Sequence, residues 1–381
     1  MGKQKNGKKN VFLLGTTSFL NDFSSEMIMP ILPFFLSSLG APVVLIGLVG
    51  GLRDSLGSIL KVLFGYLSDK TGKRKPFVYA GYLTSAFFKL LLAFSPNALF
   101  ALSSASLERI GKGMRDAPRD AMIGQFMPKK TGTGFGIHQM MDTAGAILGS
   151  LAVLLMIWYL AMSYDMIIAL AALLAILSIG PLFLVKEPIF KPYQNSYGFR
   201  SALSKLPGNL LVFTVIASLF SLANFSYMFF ILKAQVSEDI VTAIALYVVF
   251  NVFFAIFAYP IGKYADKVGK RKVLIFGYVL FALVSFAFVF YSGLYALLIL
   301  FILYGIANAA VKGVERAYVV DLSPANLKAT SIGTFQLMTG LAALPSSIIA
   351  GYLWEAISPE ATFMFGAVVS FGAAILLAFK K

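Results

Sequence analysis

Long apolar runs alternate with short polar breaks along the whole chain. The runs fall at roughly 11–37, 43–68, 77–94, 98–123, 133–158 and 163–185, and, beyond a polar stretch, at 208–233, 240–264, 273–291, 294–320, 329–354 and 361–379. Each is close to the roughly 20 residues an α-helix needs to cross a bilayer. The first run is too long for a signal peptide and lacks a small-residue cleavage site, so it reads as a mature helix. The pattern predicts an all-α membrane protein with twelve transmembrane helices.

The break after the second run reads Gly65-Tyr66-Leu67-Ser68-Asp69-Lys70-Thr71-Gly72-Lys73-Arg74-Lys75. It recurs 197 residues later as Gly262-Lys263-Tyr264-Ala265-Asp266-Lys267-Val268-Gly269-Lys270-Arg271-Lys272. Arg119 and Arg316, Gly136 and Gly333, and Gln139 and Gln336 are separated by the same interval, and Leu20–Ser24 faintly echoes Leu222–Ser226. A fixed internal period marks one structural unit used twice. Residues 1–185 are expected to form an N-terminal six-helix bundle, 186–207 a cytoplasmic linker, and 208–381 a C-terminal six-helix bundle. Parallel halves of this kind are one route to a transporter. One chain carries both halves, so a monomer suffices for function.

Composition agrees. The chain is 59% hydrophobic and 13% charged, where a soluble domain has about a quarter of its residues charged. The net charge of +15 would suggest nucleic acid in a soluble protein. Here the cations gather in alternate loops: the N-terminal tail, Lys70–Lys75, Lys129 and Lys130, the middle segment, Lys267–Lys272, Lys328, and Lys380 with Lys381. The other loops hold Asp165, Glu238, Asp239 and Glu360. Positive-inside bias then places both termini in the cytoplasm, in a cytoplasmic membrane, with Trp158 and Trp354 at matching outer ends. Lipid is the expected surround, and nucleic acid is not an expected partner. There is no Cys and only one His, which excludes thiolate metal sites and a His-rich metal centre. A phosphate-binding Walker loop is missing, and no nucleophile–base pair is visible. No cofactor, no metal and no enzyme activity are expected.

The repeated break resembles the G-x-L-x-D-x-x-G-R/K-R/K signature of the major facilitator superfamily. Gly65, Leu67, Asp69, Gly72, Lys73 and Arg74 fit it; in the second copy Tyr264 stands at the Leu position. Arg109-Ile110-Gly111-Lys112-Gly113 resembles the family's R-x-x-Q-G pattern with Lys112 in place of Gln. Gly145-Ala146-Ile147-Leu148-Gly149 matches half of its fifth-span antiporter pattern and lacks the closing Pro. The resemblance implies a secondary transporter whose spans 1, 4, 7 and 10 line a central cavity, and it would bring Asp22 and Glu26 opposite Arg109 and Lys112. In both copies the signature suits a polar clasp at a cytoplasmic gate. Its expected members are Gly65, Asp69, Gly72 and Arg74, then Gly262, Asp266, Gly269 and Arg271, with Arg115, Asp116 and Arg119 from the end of span 4.

Ionisable groups inside a membrane are costly and mark pathways for ions or solutes. Asp22 and Glu26 stand four apart on one face of span 1, Arg109 and Lys112 lie in span 4, Asp142 is deep in span 5, and Asn224 is in span 7. These are the expected proton-coupling or substrate groups. Asp54, His138, Asn308 and Lys312 are further candidates; His138 shares a face with Asp142. Lys61 and Lys89 are expected to snorkel toward the interface. Phe225, Tyr227, Phe229 and Phe250 are expected to form an apolar wall in the second half, or to pack in its core. The expected function is proton-coupled transport of a small solute by alternating access, with export preferred. Import of an organic anion or metal chelate is the alternative. A non-transporting receptor or scaffold is the rival of another class.

Overall fold

The computed structural model describes residues 2–127, 131–186, 207–323 and 328–380, without the side chains of 2–6, 54, 59, 66, 69, 70, 131–136, 259 and 328–330. Most of the expected linker, Lys129, Lys130, Lys381 and the side chains of Asp54, Asp69, Lys70 and Lys328 therefore lie outside the described residues.

Fifteen helices and no strand occur among the described residues. They are α1 (Gly2–Ile28), α2 (Leu32–Ser38), α3 (Val43–Thr71), α4 (Lys75–Ala93), α5 (Ala98–Phe126), α6 (Thr131–Trp158), α7 (Tyr164–Leu177) and α8 (Gly180–Phe183). After the linker come α9 (Gly208–Ala223), α10 (Met228–Ser237), α11 (Ile240–Val268), α12 (Lys270–Phe290), α13 (Leu294–Leu322), α14 (Lys328–Ala356) and α15 (Pro359–Phe379). In hydrocarbon a backbone must satisfy its own polar groups, so apolar runs of this length fold as helices. Each of the twelve runs falls on one helix or on a consecutive pair. Among the described residues, ten stretches are long and apolar enough to cross a membrane. The two runs that fail that test are those of α1 and α5, which carry Asp22 and Glu26, and Glu108, Arg109, Lys112, Arg115, Asp116, Arg119 and Asp120.

The first span of each half is interrupted. Pro30 and Pro33 lack the amide hydrogen that continues a helix, and α1 gives way to α2 across Met29–Ile31. The α9–α10 break lies at the corresponding place, across Asn224–Tyr227. Helix starts are capped where the sequence offers an acceptor: Asn97 takes the amide of Phe100 at 2.9 Å, Asp239 that of Thr242 at 2.7 Å, and Ser358 that of Ala361 at 3.2 Å.

By packing, the chain forms two units, Met1–Ala41 with Leu56–Ser196, and Pro42–Ser55 with Tyr197–Lys381. In the first unit α6 lies directly on α1. A Cβ at Gly145 or Gly149 would strike the carbonyl of Phe19 or Phe23, which is the close approach that small residues four apart permit between membrane helices. At one end Val11, Leu14, Val78, Met122, Ile123, Ile179 and Leu182 close a dry core.

In the second unit the packing is aromatic. Phe230 stacks on Tyr304 at 4.1 Å between centroids and meets Phe288 and Phe363 edge-on. The segment Pro42–Ser55 joins this unit through small residues. Ser55 Oγ donates to the carbonyl of Gly340 at 2.5 Å, and Glu355 Oε1 accepts the amide of Val44 at 3.0 Å.

Candidate functional site

The first unit holds a connected polar network with Ser18 of α1 at its centre. The Ser18 hydroxyl lies 3.0 Å from Tyr82 Oη on α4 and 2.9 Å from His138 Nε2 on α6, and it accepts from Arg119 Nη1 on α5 at 3.2 Å. Arg119 also donates to Asp120 Oδ1 from Nε and Nη2, at 3.1 and 3.0 Å, and lies 3.4 Å from Asp116 Oδ1. Lys61 of α3 meets Asp116 Oδ2 at 3.0 Å. On the far side, His138 Nδ1 is 3.4 Å from Asp142 Oδ2. One chain of contacts therefore runs Lys61–Asp116–Arg119–Ser18–His138–Asp142.

Backbone contact puts these groups together. Gly81 and Gly111 face each other so closely that a Cβ on either would meet the other's carbonyl oxygen. That seats Tyr82 and Ser85 under Arg115, a buried guanidinium that donates to Ser85 Oγ at 2.6 Å and lies 4.5 Å above the Tyr82 ring. In the same way, Gly145 and Gly149 bring α1 and α6 close enough for Ser18 to reach His138. Buried polar groups this connected are strong when satisfied and costly when one member is removed.

The sequence-predicted residues fall in and around this network. His138 and Asp142 meet as their spacing implies. Asp142 Oδ1 is a buried acceptor with no hydrogen-bond donor among the described residues. Asp22 takes a 3.4 Å hydrogen bond from Asn21 Nδ2, and its charge reaches both Lys112 and Asp142. Glu26 Oε2 accepts from Ser150 Oγ at 3.5 Å. Arg109 Nε is 3.4 Å from Glu108 Oε2, and its Nη2 lies 3.5 Å from Met29 Sδ, beside the end of α1. A helix C-terminus favours a cation. Pro30 and Pro33 also take away the amides that a continuous helix would aim at the carbonyls of Glu26 and Met29.

Two lysines differ from expectation. Lys61 and Lys89 do not simply snorkel: Lys61 pairs with Asp116, and Lys89 is buried, donating to Ser24 Oγ and Ser25 Oγ at 2.9 Å and to the carbonyl of Asn21 at 3.4 Å. Both sit on helix faces turned to other helices, so their heads find partners inside the unit. Ser18, Tyr82, Ser85 and Lys61 are site members that sequence reasoning did not select. A cavity of about 560 Å³ also opens among Phe35, Ser38, Ser95, Ile157, Tyr164 and Asp165; it contains none of the predicted residues.

In the second unit Asn224 caps the end of α9 at the helix break. Asn308 is buried and donates to the carbonyl of Tyr304 at 3.0 Å, while Lys312 Nζ is 5.6 Å from the Phe254 ring centre. Phe225 and Phe229 are buried against other rings, which makes them core packing. Tyr278 Oη donates to Glu315 Oε1 at 2.6 Å.

The signature breaks are mostly helical. Gly65 and Asp69 lie inside α3, and a Cβ at Gly65 would touch Ala117 at 3.2 Å, whereas Gly262 has nothing within 4 Å. Gly72 and Gly269 make the turns, at φ of +68° and +99°, a region glycine enters without strain. Arg74 is buried. Asp266 is 3.5 Å from Lys270 Nζ. Arg271 donates to the carbonyls of Leu377 and Ala378 at 3.0 and 2.9 Å, and Lys75 to those of Phe183 and Val185 at 3.3 and 2.7 Å. In each unit, then, a signature cation caps the end of that unit's last span. Arg115, Asp116 and Arg119 were expected with the signature; among the described side chains they meet Ser85, Tyr82, Lys61, Ser18 and Asp120, and their helix approaches the signature at Ala117, beside Gly65.

A sequence model of the Major Facilitator Superfamily matches residues 14–240 and 211–381. An uncharacterized MFS-type transporter of Methanocaldococcus jannaschii is 51% identical over 378 residues, 97% of this chain and 94% of its own. The chain belongs to the Major Facilitator Superfamily. It is a multi-pass membrane transporter and not an enzyme. Other superfamily members resemble it more distantly. The solved nucleoside transporter NupG superposes with a TM-score of 0.81 at 15% identity, covering 97% of this chain and 98% of its own. A POT family transporter in complex with 5-aminolevulinic acid gives 0.82 at 13%, over 97% and 96%. These are likenesses of fold. The Multidrug resistance protein MdtH of Shigella dysenteriae is 31% identical over 145 residues, 38% of this chain and 35% of its own.

Proposed function

We propose that this transporter moves a small solute across the cytoplasmic membrane by alternating access, coupled to protons and in the direction of export. The observation that carries the coupling is the buried network of the first unit, where Asp142 holds one oxygen on His138 and leaves the other buried without a described donor. A carboxyl placed so takes a proton when its positive neighbours withdraw and gives it up when they return. Asp22 and Glu26, on the adjoining face of α1, are the other proton carriers of the proposal. Arg109 and Lys112 compete for them or hold an anionic solute. The signature turns, with Asp69, Arg74 and Asp266, are proposed to steady the cytoplasmic closure. Export is supported by the partial likeness to a multidrug resistance protein. Import of an organic anion is supported by a different observation, the four cations Arg109, Lys112, Arg115 and Arg119 on the single helix α5.

The test is solute flux in proteoliposomes under an imposed pH gradient, scanning lipophilic cations, organic acids and metal chelates. Gradient-driven flux in the native chain that is lost in Asp142→Asn, and in Asp22→Asn combined with Glu26→Gln, supports the assignment. Full gradient-driven flux in both variants removes the proton role from these acids.

A further inference from the structure

We propose that Glu315 and Tyr278 form a second proton-binding site, contained in the second unit. The sequence places nearly all its coupling candidates in the first half, and Glu315 is not needed there. The geometry singles it out. Tyr278 Oη donates to Glu315 Oε1 at 2.6 Å. Tyr278 has no exposed surface, its ring stacks on Phe220 with centroids 3.9 Å apart and planes 4° from parallel, and Ser370 Oγ fixes its carbonyl at 2.8 Å. The hydroxyl is therefore a placed donor, aimed at one carboxyl oxygen.

Among the described residues, the charged and titratable groups that act on Glu315 are Tyr278 from α12 and Lys312 and Arg316 from its own helix. Both cations are exposed. Lys312 lies over the Phe254 ring, and Arg316 Nε donates back to the Lys312 carbonyl at 3.3 Å. From α9 the Phe220 ring covers Tyr278, and from α11 the Phe254 ring lies under Lys312.

A tyrosine that needed only an acceptor would be served by a glutamine or a carbonyl, with no charge to bury. A half-buried carboxyl in a membrane span, held by an uncharged hydroxyl, is costly as an anion, and an ionisable group in a span points to ion movement. The step balances simply. One proton from water bonds to Glu315 Oε2, Tyr278 keeps its own hydrogen on Oε1, and the same proton returns to water on release. The two units also place a buried tyrosine alike. Tyr82 and Tyr278 stand 196 residues apart on the third span of each half, the first under the Arg115 guanidinium and the second on a carboxyl.

The role of this site in flux rests on the coupling reading above; its protonation does not, and is read separately. The experiment is infrared difference spectroscopy of the purified chain over a pH titration, following the carbonyl stretch of a protonated carboxyl. The native chain and Asp142→Asn are expected to gain a band that Glu315→Gln lacks, with the melting temperature of Glu315→Gln unchanged because Gln still accepts from Tyr278. Tyr278→Phe is expected to move the midpoint of that band to higher pH, by loss of a donor to the carboxylate. A Glu315→Gln spectrum superimposable on the native one overturns the proposal, whatever the flux assay gives. A band that depends on Glu315, in a chain whose flux ignores the pH gradient, keeps the site and defeats the coupling reading.

Discussion

Ser18 Oγ and His138 Nε2 lie 2.9 Å apart although 120 residues separate them in sequence. The hydroxyl also serves Tyr82 and Arg119, so one small side chain joins α1, α4, α5 and α6.

Ser18→Ala should therefore cost more than a surface serine would. Leaving a buried polar partner unsatisfied costs about 1–3 kcal/mol, and three partners share the loss here. The expected result is a clear fall in melting temperature in detergent, while Ser103→Ala, an exposed serine bonded only within its own helix, leaves it in place.

The chain has a single histidine, so selective ¹⁵N labelling yields one pair of ring resonances. With Nδ1 facing the Asp142 carboxylate and Nε2 facing Ser18, the hydrogen belongs on Nδ1. The expected spectrum is that tautomer in the native chain and a mixture in Asp142→Ala. Equal tautomers in both would show that Asp142 does not orient the ring.

Gly149→Leu should prevent assembly of the first unit, since the new side chain would enter the backbone of Phe23. Overpacking against a neighbour that is free to shift costs about 1–3 kcal/mol, and a backbone carbonyl yields less. Gly124 has nothing within 4 Å, and Gly124→Ala is expected to leave stability equal or raise it by up to about 1 kcal/mol. Yield of monodisperse protein and melting temperature distinguish the two.

Asp239 gives the pH test outside the spans. Its hydrogen bonds to the side chain and then the backbone amide of Thr242 hold its carboxyl below the ordinary carboxylate value. A lowered value means the stabilisation is complete above the unfolded pKa of about 3.9 and fades as pH falls through the folded value. The residue is exposed, so the cap contributes about 0.5 kcal/mol, the low end for such positions. Asp239→Ala should melt slightly below the native chain at neutral pH and match it in strong acid. Asp239→Asn, whose amide oxygen still caps but does not titrate, should stay close to the native chain at neutral pH and melt slightly above it in strong acid.

Much of the fold is legible because lipid leaves the chain few choices. Apolar length marks helices, and Pro30 with Pro33 and Gly72 with Gly269 mark where they stop. The pairing of His138 with Asp142 follows from a spacing of four. The hub is not legible. Ser18 and Tyr82 carry no unusual pattern, and only the approach of Gly145 and Gly149 to α1, and of Gly81 to Gly111, makes them neighbours. Lys61 and Lys89 illustrate the same limit: whether a lysine faces lipid or an acid depends on helix rotation, which periodicity in an all-apolar helix does not set. Glu315 is visible as an acid in a span, but its tyrosine lies 37 positions away on another helix.

The interruptions in the opening span of each half have a mechanical consequence. A continuous rod resists bending because every tilt stretches hydrogen bonds along its convex side. At Met29–Ile31 and Asn224–Tyr227 part of that ladder is missing, because Pro30 and Pro33 have no amide hydrogen and the Ser226 amide goes to Ser347 Oγ, so a tilt between the two pieces of each opening span strains fewer bonds than it would in an unbroken rod.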